Sequence, residues 1–372
     1  MPGVLKASAL GADSSLETDM ALSLLTRSKP RTMVGLDIEP GRAVAAEVSV
    51  DGVVRLERAA SIALPLGVVR DGEVIDIEAV SGALRQMWAD NKGLGRDVRI
   101  GVANAKIVVR TVDIPPLTDK AQIDAAVRHL AADELPMPLE SAVLDYETVG
   151  LIETSGGPRL RVVVVAARRE MVEAIVAAVS GAGLKPRGVD LAAFAMIRAL
   201  GGGRSDSALY LSVGGMANLA VVVDGVCLFT RVTGAGLEGM GIELAERRSL
   251  TLEHARMWLR HTGLEDDVED IEGDADVISD ARAILVEGTR RLATEVRASL
   301  EFHQTQAAAA EIAHAVLTGA AASIPGFAAA LSSELGMPVH TRSVEASDEL
   351  AATTDLGGMT VAAGLAVAQV FA

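Results

Sequence analysis

From Met33 onward the apolar positions fall into blocks whose spacing predicts the elements. Residues 33–64 are apolar either continuously or at every second position and predict three strands. Ile77–Asn91 switches to the helical period, with Val80, Leu84, Met87 and Trp88 on one face. Val98–Ala103 and Ile107–Val112 predict two more strands. Ile114-Pro115-Pro116-Leu117-Thr118-Asp119 then interrupts the chain and supplies a helix cap at Thr118 or Asp119. An αββα run follows: a helix at about 119–134, strands at about 142–151 and 160–167 joined by the polar Glu153–Pro158 turn, and a helix at about 169–181. Strand Lys185–Leu191 and helix Ala192–Leu200 lead to Gly201-Gly202-Gly203, a natural boundary.

The second half opens on apolar strands at Ala208–Val213 and Ala217–Val223. A helical region is predicted at about 236–262, and the acidic run Glu265–Asp276 follows as a solvated loop, since its spacing is not that of an EF-hand. A long helix at about 279–304 places Leu285, Leu292, Val296 and Leu300 on one side. Strand Ala313–Leu317 precedes a Gly319 loop, and Ser323 and Pro325 signal a helix carrying Phe327, Leu331 and Leu335. Gly336 stops it; strand Val339–Arg342 and helix Thr360–Val370 close the chain.

One device occurs twice. Met33–Glu39, the bend Pro40-Gly41, Arg42–Val48 and the turn Asp51-Gly52 match Ala208–Val213, the bend Gly214-Gly215-Met216, Ala217–Val223 and the turn Asp224-Gly225. Each is a strand, a glycine-bearing bend, a second strand and a hairpin turn. A glycine bend lets backbone N–H groups approach an anion without a Cβ in the way. Two such bends facing one another would hold a polyphosphate.

Composition narrows the classes. A chain of 372 residues predicts two lobes. With only two Trp, two Tyr and five Phe, their cores must be built from Ala, Val, Leu and Ile. The net charge of −16 argues against nucleic acid as a partner. The single cysteine, Cys227, excludes an internal disulfide or a multi-cysteine metal site and reads as a small buried hydrophobe. No run is long and apolar enough for a membrane span, and residues 1–30 read as a flexible leader in which Met20 is a second candidate start.

The duplicated device, the third strand-loop-helix at Leu317–Ala322 and the closing helix together resemble the actin-like ATPase superfamily. Within it the chain resembles the PilM family of cytoplasmic type IV pilus assembly proteins, relatives of FtsA. The text that carries the resemblance includes Val34–Ile38, Leu144-Asp145-Tyr146, Val165–Glu170, Val226–Arg231, Glu295–Leu300 and Val316–Gly326. The implied fold is α/β, actin-like (ribonuclease H-like) and two-lobed, with a duplicated core and an inserted small α+β subdomain. Its expected parts are a first-lobe core at 31–112, the insertion at 113–184, a return at 185–206, a second-lobe core at 207–235, a helical subdomain at 236–304, and second-lobe core with the closing helix at 305–372.

The resemblance implies ATP and Mg²⁺ between the lobes. Asp37 matches the superfamily's first-loop Asp, which positions the metal through water, and Asp190 is either the next catalytic carboxylate near the cleft or the N-cap of the 192–200 helix. Implied nucleotide contacts are Asp37, Glu39, Gly41, Arg42, Gly214, Gly215, Met216, Ala217, Gly234, Gly236, Glu243, Arg297, Gly319, Ala320 and Ala321. The loops depart from the family pattern. Glu39 and Pro40 stand where small hydroxyl residues and Gly are usual, Ser212 replaces the second-loop Asp, and alanines replace adenosine-loop glycines. A carboxylate beside phosphates repels them unless Arg42 or a metal offsets it. Nucleotide binding is therefore expected to outlast efficient hydrolysis.

The resemblance further implies a partner, the cytoplasmic N-terminal tail of a PilN-like bitopic inner-membrane protein, with other platform and motor proteins beyond it. This would hold the protein at the inner face of the cell membrane. Ile107, Val109, Val112, Ile114, Leu130, Leu135 and Tyr146 are the expected contacts. Two alternatives share the architecture: a small-molecule kinase, which needs a carboxylate base at the substrate hydroxyl, and an FtsA-like division protein. Thr360–Ala372 has no basic residue, which counts against an FtsA-like membrane helix.

Overall fold

The computed structural model describes residues 33–134, 137–201, 207–305 and 310–367. The chain begins with β1 (Val34–Glu39), β2 (Arg42–Asp51), β3 (Val53–Ala63), the short pair β4 (Val69–Arg70) and β5 (Glu73–Val74), α1 (Ile77–Asp90) and β6 (Asp97–Val102). It continues through β7 (Val108–Ile114), α2 (Lys120–Glu134), β8 (Ala142–Thr154), β9 (Gly157–Arg168), α3 (Arg169–Gly181), β10 (Lys185–Leu191) and α4 (Ala192–Ala199). Then come β11 (Ala208–Val213), β12 (Ala217–Val223), β13 (Val226–Thr233), α5 (Leu237–Arg248), α6 (Leu252–Thr262) and α7 (Ala275–Gln304). The last elements are β14 (Ala315–Thr318), α8 (Phe327–Leu335), β15 (Val339–Thr341), β16 (Glu345–Ala346), α9 (Asp348–Ala351) and α10 (Thr360–Ala366).

A six-stranded sheet ordered β10-β6-β1-β2-β3-β16 forms the first lobe, and a five-stranded sheet ordered β13-β12-β11-β14-β15 forms the second. Both follow one plan. β1 pairs antiparallel with β2 and parallel with β6, as β11 pairs antiparallel with β12 and parallel with β14. The duplicated sequence device is thus a duplicated sheet. β1, β11 and β14 are buried along nearly their whole length, which is why their apolar runs are continuous. The lobes share core: α4 packs against both sheets, and Ala208, Tyr210, Ala220, Val222, Cys227 and Val316 of the second lobe join the first lobe's apolar cluster.

Tertiary pairing redraws three expected boundaries. The division at 112/113 cuts through β7, which pairs with β9 from Val108 to Ile114 and is the edge of a three-stranded sheet ordered β7-β9-β8. α3, expected within the insertion, packs on α1 and β10 of the first lobe. β16 adds to the first-lobe sheet beside β3, and α10 lies on α4, β1 and β2, so the closing segment returns to the first lobe. Residues 236–262 form two helices, because Ser249 turns left-handed (φ 53°) and Thr251 caps α6 through the His254 amide. Asp274 caps α7 at Asp276 and Val277, starting it ahead of the expected position. The leader expected at 1–30 and the contact expected at Leu135 lie outside the described residues.

Candidate functional site

The β1–β2 and β11–β12 bends meet across the lobe junction. A Cβ on Gly215 would lie 2.5 Å from the Pro40 carbonyl oxygen, so only glycine permits this approach. The Gly215 N–H donates to Glu39 Oε2 at 2.7 Å. Arg42 Nε donates to Glu39 Oε1 at 2.5 Å, and its Nη1 reaches Asp355 Oδ2 at 3.3 Å. Burial opposes the Arg42 charge, but Glu39 and Asp355 outweigh it and hold the guanidinium protonated. From the second lobe, Arg256 on α6 pairs with Glu238 and reaches the Gly41 carbonyl at 3.5 Å.

Beside this contact lies a cavity of about 690 Å³. Gly41 and Arg42, Gly214 and Gly215, Leu237 and Glu238, α6 residues Glu253, Arg256, Leu259 and Arg260, Ala320 and Ile324, and the segment Thr353–Asp355 with Met359 line it. Gly319, at φ +86°, turns the β14 end so tightly that a Cβ would lie 2.6 Å from the Val213 backbone. Gly236 abuts the Gly215 carbonyl, and Met216 and Ala217 are buried behind the bend. Ala321 is fully buried in the second-lobe core.

Other expected residues lie elsewhere. Gly234 lines a separate cavity of about 550 Å³ with Glu287 and Arg291. Glu243 pairs with Arg247 and Arg291, and Arg297 donates to the Glu334 carbonyl, so neither lines the cleft. A loop motif locates a bend, whereas a helix's rotation is set only when it packs. α6 presents Glu253, Arg256 and Arg260 to the cavity instead, and no local pattern in the sequence singled them out. Asp190 is fully buried, pairs with Arg198, and lies beneath α10, whose Gly364 carbonyl also receives Arg198. Burial pushes its carboxyl upward against the pull of Arg198 and Arg99.

If a nucleotide enters this cleft, the apolar side chains Leu237, Leu259, Ala320, Ile324 and Met359 in its lining are what its base could pack on. The phosphate end does not fit as it stands. Glu39 occupies the Gly215 amide, and Arg42 is divided between two carboxylates. Asp37 is half-buried, and burial, then the Glu39 charge, raises its carboxyl to about 7 against the pull of Arg42. Among the described residues no three His, Cys, Asp or Glu side chains gather as a metal site. Mg²⁺ at Asp37 would need phosphate oxygens and water for the rest of its shell.

A second cavity, about 710 Å³, lies where the insertion, the first lobe and the second lobe meet. It is walled by residues 106–110 from β7 and its approach, by Phe229–Val232 of β13, and by Met137, Pro138, Arg168, Leu191, Asn218 and Phe302. Among the described residues β7 and β13 are each an edge strand, paired on one side only. Asn218, only 7% exposed, leaves its Oδ1 without a hydrogen-bond partner.

The expected partner contacts separate by strand alternation. Ile107 and Val109 line this groove. Val112 and Ile114, on the opposite face of β7, pack with Leu130 and Tyr146 into the insertion's own core with α2. The Tyr146 hydroxyl donates to Asp124 Oδ1 at 2.5 Å. An apolar run read as one surface is therefore two.

Comparison with known proteins agrees with this architecture. The structure of a PilM-PilN type IV pilus biogenesis complex matches at 26% identity and a TM-score of 0.73, covering 91% of this chain and 98% of that one. Ethanolamine utilization protein EutJ from Carboxydothermus hydrogenoformans matches at 17% identity and TM-score 0.51, covering 90% of this chain and 88% of that one. MreB5 of Spiroplasma citri bound to ADP matches at 13% and 0.50, covering 90% and 95%. The latter two establish the actin-like fold alone. The profile of the family described as Type IV pilus assembly protein PilM matches residues 35–367. The chain therefore belongs to the type IV pilus assembly protein PilM family.

Proposed function

We propose that this protein is a docking scaffold of a type IV pilus inner-membrane platform, gripping the cytoplasmic N-terminal tail of a PilN-like bitopic membrane protein. The observation that carries this reading is the groove bounded by two edge strands, β7 and β13. An extended peptide adds to a free strand edge through main-chain hydrogen bonds and seats alternate side chains in pockets. Phe229 and Phe302, with ring centroids 5.5 Å apart, offer the apolar pocket. The unpartnered Asn218 oxygen offers an acceptor for a peptide N–H. No described helix is long and apolar enough to cross a membrane, so attachment at the membrane's inner face would run through the partner.

On the same reading ATP with Mg²⁺ enters the interlobe cleft only when Glu39 leaves the Gly215 amide, and hydrolysis is slow or absent. The strand that enters the second bend supplies no carboxylate of its own to orient an attacking water, since Ser212 stands there. Anisotropy with a labelled tail peptide tests the docking claim. Phe302→Ala and Arg110→Glu, which puts a negative charge in the groove lining, should each weaken binding about tenfold with an unchanged melting temperature. Equal affinity in wild type and both variants would reject the groove. A phosphate-release assay showing turnover at ordinary ATPase rates would reject the slow-hydrolysis claim.

A further inference from the structure

We propose that Glu39 is a built-in anion that takes the place of a phosphate between the glycine bends, so that the lobes latch shut without a nucleotide. Four groups make the latch. The Gly215 amide of the second lobe binds one Glu39 carboxylate oxygen at 2.7 Å. Arg42 binds the other at 2.5 Å and extends to Asp355 at 3.3 Å. Asp355 in turn accepts the Gly358 amide at 3.0 Å, tying the latch to the turn that precedes α10. An amide exposed in a glycine bend is the group that ordinarily holds a phosphate oxygen, and here a carboxylate of the same chain satisfies it.

Space and charge point the same way. The Glu39 side chain is 13% exposed and fills the gap in front of Gly214, where even a Cβ would overlap its carboxylate. A phosphate entering this position would meet the Glu39 charge directly and would find Arg42 already neutralised by two carboxylates. The bend residues therefore keep the shape of an anion cradle while supplying the anion internally. For nucleotide access this rests on the proposed cleft reading: Glu39 becomes a gate that a phosphate must displace. The latch itself does not depend on that reading.

Spin labels at Glu57→Cys on β3 and His254→Cys on α6, both exposed positions, report the distance between lobes, since the only native cysteine, Cys227, is buried. In the nucleotide-free full-length chain, wild type should give one narrow short distance. Glu39→Ala should lengthen and broaden it, and Glu39→Gln, which keeps size and an acceptor, should fall between. Titrated with inorganic tripolyphosphate and with ATP–Mg²⁺, Glu39→Ala should bind about tenfold more tightly than wild type and close again. If every variant fails to bind either anion while the distance still shifts, the nucleotide reading falls and the latch is upheld. A nucleotide-free wild type as open as Glu39→Ala overturns the latch, as does a Glu39→Ala chain that is folded by circular dichroism yet stays closed.

Discussion

The hydroxyls of Thr318 and Thr360 lie 2.7 Å apart with both residues fully buried, one at the end of β14 in the second lobe and the other opening α10 on the first. The Gly357 carbonyl lies 3.3 Å from the Thr318 hydroxyl and the Leu356 carbonyl 3.3 Å from that of Thr360, so one hydroxyl donates to the other while the second donates to its own carbonyl. They join the loop before Gly319 to the segment that carries the latch. Thr318→Val should cost about 1–3 kcal/mol in urea unfolding, because it removes the hydrogen bond between two buried hydroxyls and leaves Thr360 with the Leu356 carbonyl alone. Thr318→Val with Thr360→Val should cost less than the sum of the singles, and strict additivity would show that the pair is not coupled.

Asp190 and Arg198 form a buried ion pair under α10. Removing one charge leaves the other unpaired in the core, so Asp190→Ala should lower stability by about 3–5 kcal/mol. Its role is to hold α4 and α10 together through the Gly364 carbonyl. A stable Asp190→Ala chain that had lost only nucleotide affinity would reverse this assignment.

His303, 1% exposed near the end of α7, accepts the Ala310 amide at 3.4 Å. Burial holds its imidazole below the ordinary 6.5. The unfolded chain therefore takes up the proton first on acidification. The stability it contributes is complete above pH 6.5 and is lost as pH falls from there through the lower folded value. Melting temperatures between pH 7.5 and pH 5 should fall more steeply for wild type than for His303→Gln, and parallel curves would contradict the linkage.

Cys227 is buried among first-lobe and second-lobe side chains, and burial pushes its thiol up to about 12. It should resist a disulfide-exchange reagent at pH 8 in the native protein and react fully in denaturant. Rapid native labelling would mean that the lobes separate far more readily than their shared core implies.

The strand-bend-strand duplication, the αββα run and the Ala-Val-Leu-Ile core were legible in the chain, because alternation and glycine placement are local consequences of backbone geometry. The glycine bends were legible for the same reason: Gly41 and Gly319 take positive φ, and a Cβ on Gly215 would meet the Pro40 carbonyl. The placement of helical side chains was not. Glu243 and Arg297 face away from the cleft, while Arg256 and Glu253 face into it, since rotation about a helix axis is set by what the helix packs against.

What the sequence alone determined is the set of elements and the two glycine bends, each a property of a few consecutive residues. Only the tertiary structure decided that β7 leaves the first lobe for the insertion, that the closing segment crosses back to the first lobe, and that Glu39 reaches Gly215. These are pairings between residues as many as 313 positions apart, as Arg42 is from Asp355. No local pattern encodes them. They follow from which edges and charges remain unsatisfied once the lobes have formed.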